Sequence, residues 1–112
     1  MTPVNSEELR IAKTESRFRD VNERIAESAD DLGLEEAALV CECADPECGH
    51  RIEASLDDYE RVRSDGAQFV VAPEHHVPEH EEVVDSRPGY RIVQKLRAVG
   101  ATARRLNPRR AR

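Results

Sequence analysis

Tryptophan is absent from this 112-residue chain, and phenylalanine and tyrosine occur only twice each. Hydrophobic residues make up 38% of the chain and charged residues 36%. So few large apolar side chains predict a small core, and in a domain of this size a bound metal can supply part of the missing stability. The length predicts a single domain, which we place at residues 1–99.

Two further absences concern location. No apolar run approaches the ~20 residues that span a bilayer, and the first residues lack the basic-then-apolar pattern of a secretion signal. Three cysteines cannot all pair within one chain, which argues against a secreted disulfide framework. Together these observations predict a cytoplasmic protein that does not associate with membranes.

Acidic residues are missing from the C-terminal end. Residues 97–112 contain six arginines and no acid, whereas residues 1–96 carry 11 basic and 23 acidic side chains. The net charge of −6 therefore combines an acidic body with a basic end. We predict that residues 100–112 form a flexible tail. Its candidate contacts to nucleic-acid phosphates, independent of base sequence, are Arg104, Arg105, Arg109, Arg110 and Arg112.

The pattern of elements predicts an α+β fold with a small, mostly antiparallel sheet. Residues 6–31, within an N-terminal segment 1–33, are predicted to form a long amphipathic helix capped by Ser6. A short helix at 56–64, capped by Ser55, and strands at 38–43, 50–54, 69–72 and 90–96 follow. Residues 81–85 fit either a helical turn or a short strand. The apolar stripe expected to pack the first helix on the domain is Ile11, Phe18, Ile25 and Leu32.

The three cysteines form the most informative cluster. Cys41 and Cys43 lie one residue apart on a predicted strand, so their side chains point to the same face. Cys48 follows across a turn that contains Pro46 and Gly49, and a hairpin can bring the three sulfurs together. Zinc binds thiolate and imidazole in a tetrahedron, and structural sites normally have four protein ligands. The cluster therefore predicts a structural zinc site.

Histidine is the available type of fourth ligand, and three candidates stay open. His50 is close in sequence, but ligation by it would strain the hairpin. His75 and His76 follow the predicted third strand, whose end can deliver one of them if that strand lies beside the cysteine hairpin. This reasoning favours His75, then His76, then His50. The alternative of unligated core thiols fits poorly with the flanking acids Glu42 and Asp45.

Several segments resemble a group of small actinobacterial proteins of no established activity. They are Phe-Arg-Asp-Val-Asn-Glu-Arg-Ile at 18–25, Val-Cys-Glu-Cys-Ala-Asp-Pro-Glu-Cys at 40–48, and residues 56–63 and 69–75. In that group a histidine turn follows the cysteine hairpin, and its histidine falls on His75. The group's turn has glycine where this chain has Glu74. The resemblance covers residues 15–96 and implies a metal-site fold without a mechanism.

Catalytic motifs are incomplete in this sequence. His80 and Glu81 begin an HExxH pattern, but Val84 stands where the second histidine is required. No glycine-rich phosphate loop is present. We therefore predict a non-enzymatic zinc protein that acts as a binding or regulatory module with a protein partner. The alternative is a nucleic-acid or nucleoprotein accessory factor that acts through the arginine-rich tail.

Overall fold

A computed structural model describes residues 5–109 of the chain, and their fold is the predicted α+β class. None of the described helices is long and apolar enough to cross a membrane. In chain order the elements are α1 (Ser6–Asp31), β1 (Glu36–Val40), β2 (Arg51–Ser55), α2 (Leu56–Arg63), β3 (Gln68–Val71), β4 (Glu81–Arg87), β5 (Tyr90–Lys95) and α3 (Arg97–Arg105).

The strands form two small antiparallel sheets. β1 and β2 pair as a hairpin in which Leu39 lies opposite Ile52. β3, β5 and β4 form the second sheet, with β5 in the middle. Residues 81–85 are therefore part of a strand and not a helical turn. The buried core draws on both sheets and α2, and includes Leu39, Ile52, Tyr59, Val62, Phe69 and Val93.

Side-chain caps set where the first two helices begin. The N-cap of α1 is Asn5 and not the predicted Ser6. The Asn5 side chain accepts the Glu8 N–H at 2.8 Å, and the Glu8 carboxylate accepts the Asn5 N–H at 3.1 Å. This reciprocal capping box satisfies two backbone donors, and the helix begins at residue 6 as predicted although its cap is a different residue. α2 begins as predicted, because Ser55 Oγ accepts the Asp58 N–H at 3.0 Å.

The buried face of α1 differs from the predicted apolar stripe. Of that stripe Ile11 is buried, Phe18 and Ile25 are half-buried, and Leu32 is 75% exposed. The helix instead turns a largely polar face inward. Its buried residues are Ile11, Ala12, Thr14, Glu15, Ser16, Arg19, Asn22, Ala26 and Ala29. Hydrophobic periodicity does not reveal this face, because the larger polar side chains are buried through specific partners elsewhere in the chain.

Arg19 shows how a charged side chain of α1 is accommodated. Its guanidinium donates to the Gly66 carbonyl at 2.6 Å and to the Ala103 carbonyl at 2.9 Å. It also lies over the Phe69 ring, with 4.7 Å between the guanidinium carbon and the ring centroid. Arg19 therefore ties α1 to the segment before β3 and to the C-terminal helix.

A buried ion cluster joins α1 to the second sheet. Lys95 of β5 contacts the carboxylates of both Glu15 and Glu81, and all three side chains are almost wholly buried. Burial raises the pKa of Glu15 to about 8, although the Lys95 ammonium opposes that rise. In a chain with so few aromatic residues, hydrogen-bonded carboxyl and ammonium groups occupy part of the interior that large apolar side chains usually fill.

The Asn22 side chain of α1 hydrogen-bonds to the backbone of β1, at the edge that does not pair with β2, as a neighbouring strand would. Its Oδ1 accepts the Val40 N–H at 2.8 Å, and its Nδ2 donates to the Val40 carbonyl at 2.8 Å and to Glu42 Oε2 at 2.8 Å. The Glu42 carboxylate also accepts the Tyr59 hydroxyl at 3.1 Å and the Val70 N–H at 3.0 Å. One amide thus connects α1, β1 and the buried Glu42.

The C-terminal region corrects the prediction of a flexible tail from residue 100. Residues 100–105 belong to α3, which packs on α1. Val99 and Ala103, four residues apart, are both buried on the inner face of α3. Gly100 allows a close approach, since a Cβ there would lie 2.7 Å from the Lys95 carbonyl oxygen. Arg110 and Arg112 lie outside the described residues.

We expect Asn22→Ala to lower the free energy of unfolding by about 2–4 kcal/mol, because the substitution leaves the Val40 N–H and carbonyl without their side-chain partner and removes one of the hydrogen bonds to the buried Glu42. Urea unfolding followed by circular dichroism measures this change. The matched control is Arg24→Ala, an exposed position on the same helix, which should change stability by less than about 0.5 kcal/mol. Equal effects of the two substitutions would contradict the role given to Asn22.

Candidate metal centre

The metal-binding candidates come from two loops that the sheets bring side by side. Cys41 and Cys43 follow β1 directly, and the Cys41 N–H bonds to the His50 carbonyl at 2.9 Å, which extends the hairpin by one more pair. Cys48 lies in the tip of the hairpin, where its N–H bonds to the Asp45 carbonyl at 3.1 Å. The hairpin therefore holds all three sulfurs, as the sequence predicted.

The fourth candidate arrives from the turn that follows β3. The His75 N–H bonds to the Ala72 carbonyl at 3.0 Å, which closes that turn. Glu42 donates its N–H to the Val70 carbonyl at 2.8 Å, so the cysteine segment runs directly beside β3. This lateral contact between the two sheets carries His75 to the cysteines.

Four ligand atoms meet at this place. The Sγ atoms of Cys41, Cys43 and Cys48 and a ring nitrogen of His75 all lie within 4.8 Å of one another. His75 Nδ1 is 3.6 Å from Cys41 Sγ and 3.6 Å from Cys48 Sγ. In a tetrahedron with Zn–S and Zn–N bonds of ordinary length, sulfur and nitrogen lie ~3.6 Å apart. The spacing therefore suits an ion of the size and geometry of zinc.

Backbone amides surround the sulfurs. The Ala72 N–H donates to Cys41 Sγ at 3.2 Å, and the amides of Asp45 and His50 donate to the sulfurs of Cys43 and Cys48. Each of these contacts stabilises a thiolate over a thiol, because a charged acceptor strengthens the hydrogen bond. Each of the three sulfurs thus has one backbone amide placed to stabilise it as a thiolate when a cation binds.

The pKa values of the thiols follow from their proximity. A hydrogen bond between the two side chains raises the pKa of Cys41 and lowers the pKa of Cys43 to about 5. Burial raises the pKa of Cys48. Several thiols this close together cannot all ionise without a compensating cation, so an ion that binds here displaces protons.

The other two histidine candidates lie outside this group. The His50 ring packs edge-on against the His75 ring, with 5.5 Å between centroids, while the His50 backbone serves the hairpin. His76 Nδ1 is buried and has no hydrogen-bond partner among the described residues. The structure thus brings together the four predicted ligands. Of the three histidines that the sequence offered as the fourth ligand, the one that lies with the cysteines is His75.

Glu42, between two of the cysteines, is a residue of this centre that sequence reasoning used only as a sign of polarity. It is 0% exposed and accepts hydrogen bonds from Asn22, Tyr59 and Val70. Its alternation with Cys41 and Cys43 places its side chain on the opposite face of the extended segment. That alternation could have indicated a carboxylate buried behind the site.

Two of the three described arginines that were predicted to bind phosphate, Arg104 and Arg109, contact acids of the same chain. Arg104 contacts Asp65, with 3.3 Å between Nε and Oδ1. Arg105 donates to Thr102 Oγ1 at 3.0 Å. Arg109 contacts Glu23 and Glu60. Contact between these arginines and nucleic acid stays a prediction.

Comparison with models of known protein families, with curated proteins and with solved structures gives no significant match. The resemblance to the small actinobacterial proteins stays a prediction.

Glu74 adopts a backbone conformation that suits glycine. Its φ is +70°, in the left-handed region where a side chain costs about 1 kcal/mol. We expect Glu74→Gly to be neutral or to raise the free energy of unfolding by up to about 1 kcal/mol, and Glu74→Val to lower it by more than 1 kcal/mol. Thermal unfolding of the metal-loaded chain measures both. A loss of stability in Glu74→Gly as large as in Glu74→Val would contradict this explanation.

Proposed function

We propose that this chain is a small non-catalytic binding module whose fold is closed by one structural zinc ion held by Cys41, Cys43, Cys48 and His75. The observation that carries the proposal is the 3.6 Å spacing of His75 Nδ1 from two of the sulfurs. Three soft thiolates with one imidazole favour zinc over magnesium or calcium, which prefer oxygen ligands.

The position of the ligands supports a structural task for the ion. Three ligands belong to the hairpin of the first sheet and one to a turn of the second, so the ion bridges the two sheets. Four protein ligands fill a tetrahedral zinc, whereas catalytic zinc usually keeps one position for water or substrate. The role of the ion would then be to stabilise the fold, and the task of the chain would lie on its surface.

Removal of the metal tests the structural role. The chain should carry one zinc per molecule by native mass spectrometry, and EDTA should lower its melting temperature by about 10 °C or more, because zinc binding contributes folding free energy. His75→Ala should lose zinc to a chelator that leaves His50→Ala loaded, since the His50 ring is a neighbour and not a ligand. If EDTA and Cys43→Ser both leave the melting temperature unmoved, the structural zinc does not exist.

Cobalt substitution tests the closed coordination. The Co²⁺ form should show the intense visible absorption of a tetrahedral site and the charge-transfer bands of several thiolates. Because four protein ligands leave no open position, azide or thiocyanate should not change that spectrum. A spectrum that shifts with added anion would reveal an exchangeable position, and the non-catalytic assignment would then be abandoned.

A further inference from the structure

A groove between α1 and α2 is lined mainly by acidic side chains, and it lies outside the candidate metal centre. It encloses about 420 Å³, which is within the usual size of a ligand pocket. Ala26 and Leu56 are its apolar lining residues. Its carboxylates, which together we call the acidic groove, are Glu23, Glu27 and Asp30 of α1 and Asp57 and Glu60 of α2.

A guanidinium already lies in the acidic groove. Arg109 donates through Nη1 and Nη2 to the two Glu60 oxygens at 2.8 and 2.9 Å, and through Nε to Glu23 Oε2 at 2.9 Å. A paired contact of this kind matches the planar fork of arginine and is not available to lysine. The contact identifies a guanidinium group as the ligand that fits this groove.

A buried arginine, Arg63, orients the side chains that hold that guanidinium. The Arg63 side chain is 0% exposed and donates to Glu23 Oε1 at 2.7 Å, which orients the second oxygen of Glu23 toward Arg109. Arg63 also donates to the Asn107 side chain, whose Oδ1 accepts the Arg109 N–H at 3.1 Å. Although burial works against it, hydrogen bonds from Arg109 and Arg63 lower the pKa of Glu23 and keep it ionised.

The acidic groove has more negative charge than Arg109 neutralises. Glu27, Asp30 and Asp57 also line it, and none of them contacts a cationic side chain within residues 5–109. The bond to Glu60 is solvent-accessible, since the Glu60 side chain is 61% exposed. Ion pairs of this exposure contribute little free energy and weaken with salt. An arginine from elsewhere can therefore replace Arg109.

We propose that the acidic groove is a binding site for an arginine-bearing segment of a partner protein, and that Arg109 fills it within the chain until such a segment displaces it. This inference rests on the binding role proposed above and names the chemical group that the partner would present. It does not depend on the zinc ion. It also accounts for the contacts of Arg104 and Arg109 with acids of the same chain.

Binding of a peptide to the full chain tests the proposal. The probe is a fluorescent peptide with the sequence Asn-Pro-Arg-Arg-Ala-Arg, followed by anisotropy at low and at physiological salt. Arg109→Gln should bind the peptide about fivefold or more tightly than the unaltered chain, because an internal competitor reduces the fraction of open groove. Equal affinity for the two chains would overturn the competition.

The role of the acidic groove is tested by removing one of its carboxylates in the Arg109→Gln chain. Adding Glu60→Gln should weaken peptide binding about two- to fivefold, the effect expected for loss of an exposed paired contact. Adding Glu82→Gln, an exposed acid on β4 away from the groove, is the matched control and should leave affinity unchanged. A peptide with lysine in place of arginine should bind more weakly. If the two double variants lose affinity for the peptide equally, the peptide is attracted by general negative charge and the proposed site is wrong.

A labelled single-stranded oligonucleotide tests the competing hypothesis that the C-terminal arginines bind nucleic acid. If the unaltered chain binds the oligonucleotide more tightly than the peptide, and Arg109→Gln weakens that binding, the C-terminal arginines contact phosphates and the proposal is wrong. Native mass spectra of all variants report zinc separately. A chain that keeps zinc but fails to bind the peptide would refute the groove alone, whereas loss of zinc in every chain would refute the structural site.

Discussion

The two sheets of this fold meet where the chain leaves β1 and runs beside β3. Glu42 gives its N–H to the Val70 carbonyl and takes the Val70 N–H on its side chain, and Cys41 Sγ takes the N–H of Ala72. A two-stranded hairpin such as β1–β2 is only marginally stable alone. This contact joins the hairpin to the second sheet, and it also decides which residues can reach the cysteines.

A metal centre at this junction has a physical rationale. The hairpin tip contributes few apolar contacts of its own, while its three sulfurs face the turn after β3. An ion shared by both elements links segments that are distant in sequence, and its binding free energy becomes folding free energy. Behind the site, Asn22 and Glu42 hold the backbone of the cysteine segment through buried hydrogen bonds. The ligands are thus supported from within the domain.

Paired polar groups take much of the space that large apolar side chains would fill in a richer core. Arg19, Glu15 and Lys95 are buried with partners from distant elements. Breaking one member of such a set leaves a buried group unpaired, which costs more than the pair contributes. A similar arrangement lies next to the acidic groove. There the buried Arg63 binds one oxygen of Glu23 and orients the other toward Arg109.

The sequence by itself determined the α+β class, most of the strands, the cap of α2 and the clustering of the three sulfurs, because those features depend on neighbours within a few residues. It also favoured His75 through the expected pairing of β3 with the hairpin. Only the tertiary structure decided the polar inner face of α1, the helix at residues 97–105, and the seat of Arg109. Those features depend on partners such as Val40, Gly66 and Glu60, which lie 18 to 49 residues away from the groups they bind. Local periodicity carries no information about such partners.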